Sequence, residues 1–153
     1  MIDQALLDQA RALSAREQGL AVVTTARANG SVHASVVNAG IIADPRSGEA
    51  SVAWVARGRS HKLVLLRARR QATVVFRSGW EWVAIEGTAE LVGPHDRHLA
   101  IAAEELPLLL RQIYAAAVGG TPDAWAPLDA TISAEGHCAV LVRPTRAYGS
   151  PAE

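Results

Sequence analysis

A chain of 153 residues, half of them hydrophobic and a fifth charged, is long enough to bury one sizeable core and is read as one domain, 1–153. Its 15 acidic and 15 basic residues cancel, so no global field draws it to nucleic acid or to an anionic membrane. No apolar run reaches the roughly 20 residues that span a bilayer, and the single cysteine fits a reducing cytoplasm.

The amino-terminal stretch MIDQALLDQARALSAREQG is polar and helical rather than basic and then apolar, so it does not read as a signal peptide. Leu6, Leu7, Ala10 and Leu13 fall at helical spacing over residues 3–17, with Asp3 as N-cap and Gly19 beyond the end. LAVVTTARANGSVHASVVNAGII follows, two β-branched runs around Asn29-Gly30, a strong hairpin signal because both residues tolerate positive φ. Asp44-Pro45-Arg46-Ser47-Gly48 is a turn into a third strand, EASVAWVAR. HKLVLLRARR reads as a short helix, and QATVVFRS and EWVAIEGTAELV as two strands joined by a tight turn at Ser78-Gly79.

From Pro94 to about Val118 the pattern predicts a helix with Leu99, Ala102, Ala103, Leu106, Leu109, Leu110, Ile113 and Ala117 on one face, kinked or divided by Pro107. GGTPDAWAPLDATISAEG reads as loop, and HCAVLVRP as a last strand. Six strands in hairpin succession cannot form a parallel doubly wound sheet. The expected fold is mainly β (α+β), an antiparallel barrel flanked by helices, since closure removes exposed edges.

Chemistry concentrates in Trp54-Val55-Ala56-Arg57-Gly58-Arg59-Ser60-His61-Lys62. Fourteen of the fifteen basic residues are arginine, and Lys62 is the lone lysine. A strand ends here, a glycine turns the chain and a helix begins near Ser60, so unpaired amides, two arginines and a lysine converge on a compact anion site. The same residues also read as a solvated basic loop. Neither the P-loop glycines nor the Rossmann fingerprint is present.

VAWVARGRSHKLVLLRARRQATVVF followed by WEWVAIEGTAEL resembles the core of the pyridoxamine-5′-phosphate-oxidase-like split barrels. LAVVTTARANGSVHASVVNAG resembles their first hairpin and VLVRPTRAYG their closing strand. Within that superfamily the chain is most similar to the small oxidoreductases that use the deazaflavin coenzyme F-420. The similarity spans roughly residues 10–149. It implies a homodimer with two cofactor sites at the subunit interface. A Ser-x-Lys loop, here Ser60 and Lys62, would hold the cofactor phosphate, assisted by Arg57 and Arg59 and adjoined by His61. The ring would lie along Ser35, Val36, Val37 and Asn38, with Trp54, Val55 and Ala56 opposite, and Trp80 and Trp82 would mark packing by the partner subunit.

The function so implied is hydride transfer between coenzyme F-420 and a small unsaturated substrate. An FMN-dependent oxidase or reductase is the alternative on the same fold, and a non-catalytic flavin- or deazaflavin-binding protein the alternative of another class. Leu65-Leu66 departs from the Asn-Leu that many relatives carry. The tail offers only Arg143, Arg146 and Tyr148, which argues against pyridoxamine-phosphate oxidase activity itself.

Other candidates have simpler readings. His95 and His98, three apart, lack a supporting carboxylate or cysteine spacing and read as solvated helix residues, so no metal is expected. Asp96 suits a helix amino terminus. Cys138 alternates with apolar neighbours and reads as a buried, inert thiol. His33, in the second strand, reads either as an exposed strand residue or as a contact to cofactor or substrate.

Overall fold

The computed structural model describes residues 2–150. Six strands form one closed antiparallel barrel: β1 (Leu20–Ala26), β2 (Val32–Ala43), β3 (Ala50–Ala56), β4 (Gln71–Ser78), β5 (Glu81–Val92) and β6 (Cys138–Gly149). Their order around the barrel is β1-β2-β3-β6-β5-β4, and β4 closes on β1. Helix α1 (Gln4–Arg16) precedes the barrel, α2 (His61–Ala68) links β3 to β4, and α3 (Leu106–Val118) and α4 (Asp129–Ala134) lie between β5 and β6.

Local chemistry explains most boundaries. The Asp3 carboxylate accepts from the Ala5 amide at 2.9 Å, capping α1. At the first hairpin, Gly30 takes φ 86° and the Arg27 amide donates to the Ser31 carbonyl. The β4–β5 connection is one residue later than expected: Ser78 and Glu81 are paired, so Gly79 and Trp80 form the two-residue turn. Trp80 therefore stands at a hairpin tip, 96% exposed.

The barrel interior holds Val23, Ala39, Val52, Trp54, Val74, Phe76 and Ile85, plugged by Leu7, Ala10 and Leu13 of α1 and by Leu63 and Leu66 of α2. A second cluster lies outside β3 and β6, where Leu109, Leu110 and Ile113 of α3 cover Ala53, Ala139 and Leu141. β3 is thus buried on both faces, and its side-chain parity is invisible in the sequence.

Three expectations need correction. Residues 94–102 are not helical: a 3-10 turn occupies Ala103–Glu105, α3 starts at Leu106, and Pro107 sits in its first turn, where a proline costs no hydrogen bond. Leu99, placed on the apolar face by periodicity, is fully exposed. Asp96 caps no helix. It forms a bidentate pair with Arg67 at the end of α2. The segment read as loop contains a 3-10 helix, Pro122–Leu128, and α4, tied to α3 by a bidentate Arg111–Asp129 pair.

Among the described residues, no helix is long and apolar enough to cross a membrane.

Candidate cofactor site

β2 changes partners along its length. Val32–Asn38 pair with β1, whereas pairing with β3 covers only Ala39–Ala43 against Trp54–Ala50. Beyond the Ala39–Trp54 pair, Val55 and Ala56 stay with β6. The two strands therefore diverge, and a slit opens between them. A cavity of about 630 Å³ occupies it, lined by Val36, Val37 and Asn38 on one side and Val55, Ala56 and Arg57 on the other. Arg59, Ser60 and Lys62 close one end, and Tyr114 of α3 another.

The basic loop is held from below. A Cβ on Gly58 would lie 2.5 Å from the Gly136 carbonyl oxygen, so only glycine lets the loop sit against the 135–136 turn. Ser60 has extended backbone (φ −61°, ψ 135°) at the start of α2, and its hydroxyl makes no capping bond. The Ser60 amide donates to the Arg57 carbonyl at 2.9 Å, which tightens the turn. The arrangement gathers three cationic side chains, Arg57, Arg59 and Lys62, onto a slit that Val36, Val37, Val55 and Ala56 also line.

Tyr114 arrives through a second close approach. A Cβ on Gly40 would lie 2.6 Å from the Ala116 carbonyl carbon, so α3 packs on the backbone of β2 itself. Trp125 stacks on Tyr114 (5.0 Å between centroids, 17° between planes) and donates its indole N–H to the Gly119 carbonyl at 3.0 Å. Burial, with a smaller push from Glu135 and an opposing pull from Arg57, raises the Tyr114 phenol above its usual range, so it stands as a neutral hydrogen-bonding group.

The structure brings together Val36, Val37, Asn38, Val55, Ala56, Arg57, Arg59, Ser60 and Lys62 of the expected site. Five expected residues lie elsewhere. Trp54 points into the barrel, fully buried, and cannot face a ring in the slit. Ser35 turns the same way as His33, and its hydroxyl is buried with no hydrogen-bond partner among the described residues. His61 rests edge-on against His33, with ring centroids 5.2 Å apart. Trp80 and Trp82 belong to the β4–β5 hairpin and do not line this cavity. The Asn38 amide is committed to the Gln18 carbonyl at 2.9 Å.

Tyr114 was missed by sequence reasoning. Its signal was weak: a lone hydroxyl-bearing ring beside the Leu110–Ile113–Ala117 stripe, at a position that only the docking of α3 brings to the slit. His98, read as a solvated helix residue, instead meets Glu90 at 2.9 Å outside any helix. Cys138 is buried, and burial first, then Asp96, pushes its thiol up to about 12, so it is no nucleophile.

Residues 6–119 match the family described as pyridoxamine 5′-phosphate oxidase. No curated protein matches. Among solved structures, a conserved hypothetical protein of Mycobacterium tuberculosis is similar at TM-score 0.69 and 17% identity, over 97% of this chain and 84% of that one. A pyridoxamine 5′-phosphate oxidase-related, FMN-binding protein of Nostoc punctiforme follows at TM-score 0.60 and 14% identity, over 95% and 80%. A protein of unknown function from Agrobacterium tumefaciens matches at TM-score 0.63 and 14% identity, and there the chain covers 94% of its own length but only 56% of the other. With its split barrel and with three quarters of its length inside the family match, this chain belongs to the pyridoxamine 5′-phosphate oxidase family.

Proposed function

We propose that the slit between β2 and β3 binds a phosphate-bearing flavin-type cofactor, coenzyme F-420 in first place and FMN as the alternative. The proposal extends to hydride transfer between that cofactor and a small unsaturated substrate. The observation that carries the reading is the convergence of Arg57, Arg59, Ser60 and Lys62 on one slit whose walls also present Val36, Val37, Val55 and Ala56. Apolar walls suit a planar ring, and the cationic end suits a phosphate. The volume fits as well, since ligand cavities run to about 300–1,000 Å³.

Arg57 and Arg59 supply more positive charge than a single phosphate requires. That surplus favours the longer, more acidic F-420 over FMN. The FMN-binding neighbour from Nostoc punctiforme supports the alternative.

Such a cofactor supplies the hydride chemistry at its ring, and the protein binds and orients it. Lys62 and the Ser60 hydroxyl would hold the phosphate. Val36, Val37 and Val55 would exclude water from the ring face. Tyr114, protonated and fixed by Trp125, would offer a hydrogen bond at the mouth of the slit. A second copy of the chain completes the proposal: the outward face of β1 and β2 exposes Leu20, Val22 and Val36 beside the slit, and Trp80 projects from the adjoining hairpin.

Titration of the purified protein with F-420 and with FMN tests the reading. Micromolar or tighter binding of F-420 is expected, weakened at least tenfold by Lys62→Ala. Binding of FMN without F-420 overturns the deazaflavin choice, and binding of neither overturns the cofactor reading. Tight binding with no turnover across a broad panel of unsaturated substrates would leave a binding protein in place of an enzyme.

A further inference from the structure

Beneath α2, the inward face of the first hairpin is polar where a barrel interior is normally apolar. Thr25 pairs with His33 and Val23 with Ser35, so Thr25, His33 and Ser35 form one inward cluster. Thr25 Oγ1, His33 Nδ1 and Ser35 Oγ are all buried without a hydrogen-bond partner among the described residues. Three orphaned polar atoms in one patch are costly, and they mark a place prepared for a ligand or water.

The ring of His61 leans on that of His33 at 68°, joining the cluster to the first turn of α2. Lys62, the next residue, lines the slit, as does Val37, two positions beyond Ser35 on the same strand face.

Among the described residues, the charged groups that act on His33 are all cationic or potentially so. Arg27 approaches from the β1–β2 turn, where its guanidinium donates to the Val32 carbonyl at 2.8 Å. His61 and Lys62 approach from α2, while β4, on the far side of β1, sets the uncharged Ala72 opposite Thr25. Burial first, then His61, Arg27 and Lys62, hold His33 below its ordinary value. Without an anion, a second positive charge on this pair is disfavoured. An arriving phosphate reverses the sign of the local field and offers acceptors to imidazole N–H groups.

We propose that His33 and His61 form a protonatable clamp on the cofactor phosphate, taking up one proton from solvent when the phosphate binds. Affinity then rises as pH falls. The inference rests on the cofactor reading above, but the two fail separately. Linkage fixes the sign: a group whose pKa is raised by binding adds affinity below that raised value and loses it as pH climbs through it. The window lies between the lowered value of the unliganded His33 and the raised value that a bound phosphate gives it, across the ordinary histidine range of about 6.5.

The test is calorimetric titration with whichever of F-420 and FMN binds, in buffers of differing ionisation enthalpy between about pH 5.5 and 8. The expected result is uptake approaching one proton, with Kd rising by up to about tenfold per pH unit inside that window and levelling off above it. Proton NMR of the imidazole C–H signals should show one histidine moving up on saturation. His33→Gln combined with His61→Gln should abolish the uptake while retaining weaker binding through Lys62. For FMN, the phosphate's own second ionisation near about pH 6 acts oppositely, strengthening binding as pH rises. Cofactor binding with no proton uptake, or with only that opposite slope, overturns the clamp and leaves the cofactor reading standing. Failure of both cofactors to bind overturns both.

Discussion

Arg67 and Asp96 meet edge to edge, Nε to Oδ1 at 2.8 Å and Nη2 to Oδ2 at 2.6 Å, with the carboxylate almost wholly buried. The pair ties the last turn of α2, the helix that begins with the proposed phosphate loop, to the Gly93–Asp96 bridge. Its planar double hydrogen bond, with Asp96 largely covered and Arg67 partly exposed, is stronger than a single-contact ion pair. The hydrogen bond from Arg67 is the main reason the Asp96 carboxyl lies below the ordinary carboxylate range.

The first prediction follows from the sign of that shift. A carboxyl whose folded pKa is depressed stabilises the protein above its unfolded value, about 3.9, and the contribution fades as pH falls towards and through the folded value. Arg67→Ala should flatten the acid limb of a stability-against-pH curve. At neutral pH it should cost about 2 kcal/mol, because Asp96 is left charged and unpaired. For a domain of this size that is a Tm loss of roughly 4–8 °C. Thermal melts at several pH values check both.

Lys62→Ala removes a point charge and its hydrogen bonds from the closed end of the slit. A charged hydrogen bond contributes about 1.5–3 kcal/mol, so cofactor affinity should fall by roughly 10- to 100-fold. The melting temperature of the cofactor-free protein should not fall, since the ammonium makes no ion pair among the described residues. A fluorescence titration beside a melt separates the two quantities.

The strands were legible because alternation and turn chemistry are local. QATVVFRS and EWVAIEGTAELV emerge with their expected bounds, and the hairpin falls where Asn29-Gly30 marks it, although the turn runs from Arg27 to Gly30 and only Gly30 takes positive φ. The stretch 94–102 was not legible, because its leucine spacing continues a helical pattern while long-range partners decide its shape. Asp96 belongs to Arg67 and His98 to Glu90, and neither pairing leaves a periodic trace. The cofactor site divides the same way. The basic loop announces itself by composition, whereas Tyr114 reaches the slit only because Gly40 admits α3. Trp54 shares the inward face with Val52 and Ala56, and the sequence hid that because β3 is covered on both faces, which removes the parity that would have assigned it.

Gly40 gives a sharper test of that packing. In Gly40→Val the new Cβ would start 2.6 Å from the Ala116 carbonyl carbon and 2.7 Å from the Ala117 amide nitrogen, both backbone atoms that cannot step aside alone. Overpacking of this kind costs about 1–3 kcal/mol. α3 must shift, and Tyr114 with it, so cofactor affinity should drop together with stability. Gly30→Ala is the control. Its Cβ meets open space, so it carries only the strain of φ 86° and should leave affinity unchanged.

The outward face of the first hairpin predicts the oligomeric state. Val22 and Val36 are directly paired and both exposed, with Val75 on the other side of Val22. An aligned apolar row beside the proposed ring site is unusual on a lone barrel. Val22→Lys with Val36→Lys sets two like charges against their copies across an isologous contact. Light scattering should show a dimer for the parent protein and a monomer for the variant. A monomeric parent at micromolar concentration would rule out the shared site.

Cys138 supplies a probe of barrel opening. Its thiol lies in the interior cluster, and burial raises it to about 12, so thiolate is negligible at pH 8 and no reagent can reach the sulfur. Native protein should therefore resist an aromatic disulfide reagent that labels the unfolded chain within seconds. The raised value also fixes a sign at the alkaline end: the thiol favours the fold below its unfolded value of about 8.5 and loses that contribution as pH climbs towards 12. Any slow native labelling then measures opening of β6 from β3, the strand that borders the slit. Bound cofactor, by bridging β3 to β2, should slow that labelling in proportion to its saturation. Labelling rates that ignore saturating cofactor would mean that the cofactor binds elsewhere on the barrel.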